Sequence, residues 1–351
     1  MTATGPADEL RRFDPAIPVE RAATPPASWY VDPAFADMER RAFREAWVPV
    51  ARVDQVATVG VCVTGTVAGE PWVVVRGEDG ALRGFSNVCR HHAAGVVTEA
   101  QAAAREPLEE LVCPYHGWTY ALDGSLKRAP RTAGIRDFDV SATGLRSIAV
   151  TTCGELVLMR IAGDGPLPGG LAEVASSLDA MGAPDMRWAA RRTFTVECNW
   201  KVFIDNYLDG GYHVPTLHND LASQLDLEGY ATACQGDTVV QTCGDTVLYA
   251  WVWPNLMINR YGAVLDTNVV LPLAPDRCAV VFDWWFDKNL DDAAIEESLE
   301  SSAQVQKEDR LICESVQRGL SSSAYDVGRY APRLEHGMHA FHRRLHAALM
   351  P

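Results

Sequence analysis

Two short stretches, "NVCRHHAAG" and "CPYHGWTY", restrict what this chain can fold into more than any other feature. The first supplies Cys89 and His91 as Cys-x-His and the second Cys113 and His116 as Cys-x-x-His, with 21 residues between the pairs. A lone Cys near a lone His is ordinary packing. Two thiolates and two imidazoles at such spacings are a metal site, and a metal site obliges two separate turns to meet. Zinc fingers present both cysteines first and both histidines later, whereas here each segment carries one of each. An interrupted Cys2His2 zinc ribbon stays open as the alternative. The alternation suits a [2Fe–2S] cluster in which two Cys hold one iron and two His the other. His92 is left as a loop residue, because Cys-x-His already supplies its pair.

The scaffold for those turns is legible around them. "GVCVTGTVAGEPWVVVRGEDGALRGFSNVC" alternates apolar and polar residues, with turn signals at Gly69-Glu70-Pro71 and Glu78-Asp79-Gly80, and predicts short antiparallel strands in a small β-sandwich. Upstream, residues 1–28 are rich in Pro and Ala and predict a disordered first dozen residues followed by an extended arm. "DPAFADMERRAFREAW" then predicts a helix with Asp32 as N-cap and Pro33 at its first position. From about residue 150 a second domain is expected. Its strands fall in "RSIAVTTCGELVLMRI", "RWAARRTFTVECNW", "DTVVQTCGDTVLYAWVW", "LMINRYGAVLDTNVVLPLAP" and "RCAVVFDWWFD", and its helices in "GGLAEVASSLDAMG" and "DDAAIEESLESSAQVQKEDRLICESVQRGL". A strand-rich sheet with helices packed on it is an α+β arrangement. The sequence has no Gly-rich phosphate loop or dinucleotide fingerprint, so electrons for a redox centre are expected from outside the chain.

In the second domain, "CNWKVFIDNYLDGGYHVPTLH" offers His213 and His218. Five positions along an α-helix turn the chain about 500° and leave two side chains about 140° apart, so a straight helix cannot aim both at one metal. Pro215 lies between them, and a helix stops or restarts at proline. Two imidazoles and one carboxylate on one face of iron leave open positions for oxygen. Glu308, Asp309 and Glu314 in "SSAQVQKEDRLICESVQRGL" are the carboxylates on offer, against the plainer reading of a solvated, charge-laced helix. Asp205 and Asp209 stand at helical spacing before His213 and predict one shared face; with Asn206 they are the candidates for catalytic work.

Composition narrows the partners. A formal charge of −15 argues against nucleic acid or an anionic membrane surface. Nine cysteines without a framework pattern argue for a reducing compartment, and Cys62, Cys153, Cys198, Cys234, Cys243, Cys278 and Cys313 read as small buried hydrophobes. With no apolar leader and no long apolar span, the expected location is cytoplasmic.

"CRH" followed by "CPYHGWTYALDGSL" resembles the Rieske domain of the ring-hydroxylating and related non-haem iron oxygenases, departing from it in His92, where Arg is common, and in a longer loop containing "AAAREPLEEL". Over nearly the whole chain, in "TPPASWYVDPAF", "CNWKVFIDNYLDGGYHVP", "NLMINRYG", "DTNVVLPL" and "CESVQRGLSSSAYDVGRYAP", it resembles the choline monooxygenases of plants and their bacterial relatives. The resemblance implies an N-terminal arm and helix over 1–45, a small antiparallel β Rieske [2Fe–2S] domain over 46–150, and a helix-grip-like catalytic domain over 151–351, with an antiparallel sheet, C-terminal helices and a mononuclear iron. It makes Asp309 the third ligand beside His213 and His218. Asp209 becomes the bridge to a neighbouring subunit's cluster, with Asp205 in reserve, because the position the family often uses is Gly210 here. It further implies a homotrimer, O2 as oxidant, and electrons from NAD(P)H through a separate reductase or ferredoxin. The implied reaction is hydroxylation of a C–H bond in a small quaternary ammonium compound, giving an aldehyde hydrate from choline or N-demethylation; oxidation of an aromatic or alkaloid substrate is the alternative. Aromatic faces hold such cations, and Trp251, Trp253, Tyr261, Trp284 and Phe286 are the candidate pocket residues, although strand aromatics also build sheet cores.

Overall fold

Residues 5–218, 229–244 and 246–350 are described in the computed structural model. The chain begins with helices α1 (Pro6–Arg11), α2 (Ser28–Val31) and α3 (Ala34–Arg44). Asp32 starts α3 as expected, its Oδ1 accepting from Ala34 N at 2.9 Å. The disordered start is corrected for residues 5–12. Leu10 is fully buried, and Phe13 sets its ring edge-on to Trp29 at 5.5 Å, so a stretch that reads as polar carries enough apolar side chains to pack. Residues 1–4 lie outside the described residues.

Alternation then produces strands β1 (Val48–Arg52), β2 (Cys62–Val67), β3 (Glu70–Arg76) and β4 (Leu82–Ser86), followed by helix α4 (Glu99–Ala104). Next come β5 (Leu111–Val112), β6 (Thr119–Tyr120), β7 (Leu126–Arg128), β8 (Ser147–Cys153) and β9 (Leu156–Arg160). Six of these pair antiparallel in the order β1-β9-β8-β4-β3-β2, and β5-β6-β7 form a small second sheet. The β2–β3 turn falls on Ala68 and Gly69, at φ +51° and +79°, rather than on Glu70-Pro71, because a tight hairpin turn needs positive φ, which proline cannot adopt. The domain boundary moves as well. β8 and β9 pair with β4 and β1, so "RSIAVTTCGELVLMRI" completes the first sheet instead of opening the second domain, and the first compact unit runs from 40 to 166.

The other unit joins residues up to 39 with those from 167 onward. It contains α5 (Leu171–Ala180), β10 (Met186–Val196), α6 (Trp200–Tyr207), α7 (Val214–Leu217), β11 (Tyr230–Gln235), β12 (Thr238–Cys243), β13 (Val247–Val252), β14 (Leu256–Tyr261), β15 (Val264–Ala274), β16 (Arg277–Asp287), α8 (Asp292–Leu320) and α9 (His336–Leu349). The sheet order β10-β16-β15-β14-β13-β12-β11 is antiparallel throughout. Register places Gln241, Tyr249, Asn259, Asp266 and Trp284 in one row on the same face. α6 packs on β15 and β16, α8 runs along α6 and β10, and α9 packs on β11 and β12. α6 is fixed from below by Lys201, fully buried against Glu39 of α3, whose Oε2 also accepts from Trp200 Nε1 at 2.8 Å. Burial works against the Lys201 charge and Glu39 supports it. Two of the cysteines expected inside are corrected: Cys234, on edge strand β11, is exposed and Cys153, at the end of β8, is half-buried. No helix among the described residues is long and apolar enough to cross a membrane.

Candidate metal centres

In the first unit the two ligand pairs sit on loops that leave short strands, one after β4 and one between β5 and β6. Each loop is closed by its own backbone. Cys89 N donates to Ala94 O at 2.8 Å, and Cys113 N donates to Trp118 O at 2.8 Å while Gly117, at φ +73°, turns the chain back. Both thiols are buried, whereas His91 and His116 are exposed, with their Nδ1 atoms 3.2 Å apart. His91 stacks on Trp118 at 4.8 Å, and Cys89 Sγ lies 3.3 Å from Tyr120 OH, which also accepts from Arg90 N. Burial raises the Cys113 thiol and its neighbour Cys89 adds to this, as expected of two sulfurs held close together away from water.

The four side chains thus form a sulfur pair and a nitrogen pair. Among the described residues, the one set of three or more His, Cys, Asp or Glu whose ligand atoms all lie within 4.8 Å of one another is elsewhere. A tetrahedral zinc would draw all four atoms to one point, whereas a two-iron cluster with sulfurs at one end and imidazoles at the other spreads them as found here. His92 lies against His91 at 4.0 Å and stays on the exposed loop.

The convergent set is His213, His218 and Asp309. The expected single helical face for Asp205, Asp209 and His213 is corrected, because α6 ends at Tyr207. The chain then turns through Gly210 and Gly211 at φ +71° and +76°. A Cβ at Gly210 would sit 2.2 Å from Leu334 O, so glycine is required there on two counts. His213 starts the four-residue helix α7, Pro215 occupies its first turn, and His218 leaves it at φ −115°, ψ 70°. The restart at proline swings the second imidazole back until the rings are 5.0 Å apart.

Both rings are aimed by carboxylates. Asp209 takes backbone N–H bonds from Gly211, Tyr212 and His213, and its Oδ2 lies 2.6 Å from His213 Nδ1. Glu308 Oε2 lies 2.6 Å from His218 Nδ1. A carboxylate can only accept, so each Nδ1 carries the proton and each Nε2 keeps its lone pair for a metal. Those Nε2 atoms stand 3.8 and 3.1 Å from Asp309 Oδ1, which also accepts from Asn206 Nδ2 at 2.8 Å. For His218 burial disfavours the charged ring, but Asp309 and Glu308 outweigh it and raise the pKa; His218 in turn lowers that of Glu308. Glu308 therefore stands behind His218 rather than beside Asp309, and Glu314 bonds instead towards Glu197 N and Arg310. Asp205 is engaged differently, by Tyr30 OH at 2.7 Å and His342 Nε2 at 2.9 Å, with His342 backed by Tyr330. The donor chemistry of two imidazoles and a carboxylate fits a non-haem iron.

The aromatic candidates separate. Trp251 is buried against Phe341 at 5.3 Å, Trp253 lies under the Arg344 guanidinium at 4.5 Å, Trp284 stacks on Phe282 and Phe286 is fully buried. Large rings at inward positions fill the space between sheet and helices, so the expected cage is corrected, and of the five only Tyr261 keeps part of its surface open. Tyr207, Tyr230, Tyr249 and Asp266 were not anticipated. The available signal was polar residues at inward strand positions, as in "MINRYGAVLDTN".

Residues 46–139 match the family described as the Rieske [2Fe-2S] domain, and residues 184–239 and 231–350 match the catalytic domain of the ring hydroxylating alpha subunit. The chain is 45% identical to the chloroplastic choline monooxygenase of Arabidopsis thaliana, across 96% of this chain and 85% of that protein. It is 27% identical to the carnitine monooxygenase oxygenase subunit of Escherichia coli strain K12, across 93% and 94% of the two chains. The crystal structure of the quaternary ammonium Rieske monooxygenase CntA with its substrate L-carnitine aligns at a TM-score of 0.84 and 25% identity, over 99% of this chain and 100% of that one.

Proposed function

The chain belongs to the Rieske-type non-haem iron monooxygenases, the family of choline monooxygenase, and from that premise we propose that it uses O2 to hydroxylate a C–H bond of a small quaternary ammonium substrate, choline first. The observation that carries the chemistry is the convergence of His213, His218 and Asp309 within 4.8 Å. Iron held there would supply oxygen binding and activation. The chain's own residues set the geometry: Asp209 and Glu308 fix the two imidazoles, and Asn206 holds the Asp309 carboxylate from behind. Cys89, Cys113, His91 and His116 are assigned to the [2Fe–2S] cluster. Support for choline comes from the 45% identity to a protein of that name, against 27% to one that takes carnitine.

Electrons are assigned to an NAD(P)H-dependent reductase or ferredoxin and the working assembly to a homotrimer, with Asp209 linking His213 to the cluster of a neighbouring subunit. Asp209→Asn then leaves both metals bound and slows single-turnover oxidation of the reduced cluster; oxidation at the wild-type rate would remove Asp209 from that role. The substrate is tested by oxygen uptake with a surrogate reductase and NADH across choline, glycine betaine, carnitine and simple aromatic acids, with products identified by mass. Coupled formation of betaine aldehyde from choline is expected. Tightly coupled hydroxylation of an aromatic acid alone would overturn the ammonium assignment.

A further inference from the structure

Six acidic side chains are buried among the described residues: Glu9, Glu39, Asp209, Asp266, Asp283 and Asp309. Five of them face Arg12, Lys201, His213, Arg191 and His218 respectively. Asp266, only 3% exposed, has no ionic partner among the described residues. Its carboxylate accepts from Asn259 Nδ2 at 2.7 Å, Asn268 Nδ2 at 2.8 Å and Tyr261 OH at 3.3 Å. A buried carboxylate without a counter-charge is costly, and neutral donors offset only part of that cost. Burial raises its pKa to about 6 against the pull of the three donors, so at neutral pH it is mostly ionised.

The surroundings are aromatic and incompletely closed. Tyr249, opposite Asn259, lies 6.4 Å from Tyr261 between ring centres, and Trp284 stands opposite Asp266 with a buried Nε1 that has no hydrogen-bond partner among the described residues. Tyr207 reaches Asn259 Oδ1 at 2.8 Å from α6, and the Tyr230 ring lies 3.3 Å from the Cβ position of Gly211, two residues before His213. Although these side chains share the helix-covered face of the sheet, Tyr207, Tyr230, Tyr249, Asn259 and Tyr261 each keep part of their surface open. Burial pushes all four phenols up, and Asp266 adds to this at Tyr207, Tyr249 and Tyr261, so the phenols stay neutral and the carboxylate carries the charge.

We propose that Asp266 and the tyrosines around it receive the ammonium group of the substrate, with Asp266 the residue that selects for its positive charge. The assignment rests on the reading of the protein as a quaternary ammonium oxygenase. A primary ammonium or a guanidinium brings several N–H donors that each need a free lone pair, and Asp266, already accepting from Asn259, Asn268 and Tyr261, has only about one left. A fully alkylated ammonium has no N–H to satisfy. It asks only for negative charge and aromatic faces, which are what this cluster offers. A betaine brings a carboxylate of its own towards Asp266 and loses part of the attraction, so the site favours an alcohol such as choline.

The test uses choline and 3,3-dimethylbutan-1-ol, the isostere with carbon in place of nitrogen, binding to the iron-loaded enzyme as followed by quenching of intrinsic fluorescence. Wild type should bind choline at least about tenfold more tightly than the isostere, and Asp266→Asn should bring the two within about twofold, with iron content and cluster spectrum unchanged. A wild type that binds both alike, or an Asp266→Asn protein that keeps the preference, overturns the proposal. If Asp266→Asn fails to fold or to load iron, Tyr249→Leu leaves the three donors in place and decides instead. A preference cut at least about threefold supports the site, and an unchanged one overturns it. A charge preference that depends on Asp266 in an enzyme that oxidises no ammonium compound would break the functional reading and leave the site standing. Choline turnover with an unchanged preference in Asp266→Asn would do the reverse.

Discussion

The two metal centres are built by opposite means. The candidate Rieske ligands come as two adjacent pairs on loops that close their own backbone hydrogen bonds, with sulfurs buried and imidazoles facing water. The second centre draws its candidate ligands from both ends of the short helix α7 and from α8, 91 residues further along, and each imidazole is aimed by a separate carboxylate. Local loops specify a site through spacing and backbone. A site assembled from distant elements depends on the packing of those elements and on its outer hydrogen bonds, so it is the easier of the two to lose by single substitutions.

The sharpest separation of the two is expected from Asp309→Ala or His218→Ala. Turnover should be abolished while the visible spectrum of the cluster stays as in wild type, and loss of that spectrum would show the centres to be folded as one unit. Glu308→Ala should act next most strongly, weakening iron retention at the second centre about ten- to a hundredfold, as measured by iron content after dialysis against a graded chelator. Retention equal to wild type would show that α7 alone aims His218.

A pH experiment reaches the same difference with a smaller effect. Burial opposes the His218 proton, but Asp309 and Glu308 together raise its folded pKa above the ordinary value of 6.5. In protein stripped of the mononuclear iron, this contribution is complete below the unfolded pKa and is lost as pH rises through the raised one. The melting temperature of stripped protein should therefore fall as pH rises above the ordinary imidazole value of 6.5 and through the raised one, and refilling the iron should flatten that slope. The smallest expected effect belongs to the first centre. Tyr120→Phe removes the hydroxyl beside Cys89 Sγ and the acceptor for Arg90 N, and should lower the cluster's reduction potential in a spectroelectrochemical titration with ligation intact, because a hydrogen bond to sulfur stabilises the more negative, reduced state.

Legibility in the sequence follows the same division. Cys89, His91, Cys113 and His116 could be picked out as candidate ligands from spacing because hairpin loops keep neighbours in sequence close in space. His213 and His218 were visible as a pair, and Pro215 gave the reason they could converge. The single helical face for Asp209 failed because Gly210 and Gly211 turn the chain into left-handed φ, yet Asp209 reached His213 by that turn all the same. The boundary near residue 150 failed because strand pairing is decided by open edges: β1 and β4 took β9 and β8 as partners.

By itself the sequence determined the α+β class and the period of most strands and marked the candidate ligands of both centres, since residue spacing and side-chain alternation are local properties of a chain. Only the tertiary structure decided that Glu308 orients His218 while Asp309 meets both imidazoles, because neighbours on a helix differ by about 100° in direction and the sequence does not say which direction faces the site. It also decided that Trp251, Trp253, Trp284 and Phe286 fill the core while Asp266 lies buried among half-open tyrosines without a counter-charge among the described residues. Burial and charge balance are properties of the packed neighbourhood, set here by strands that meet only through their register.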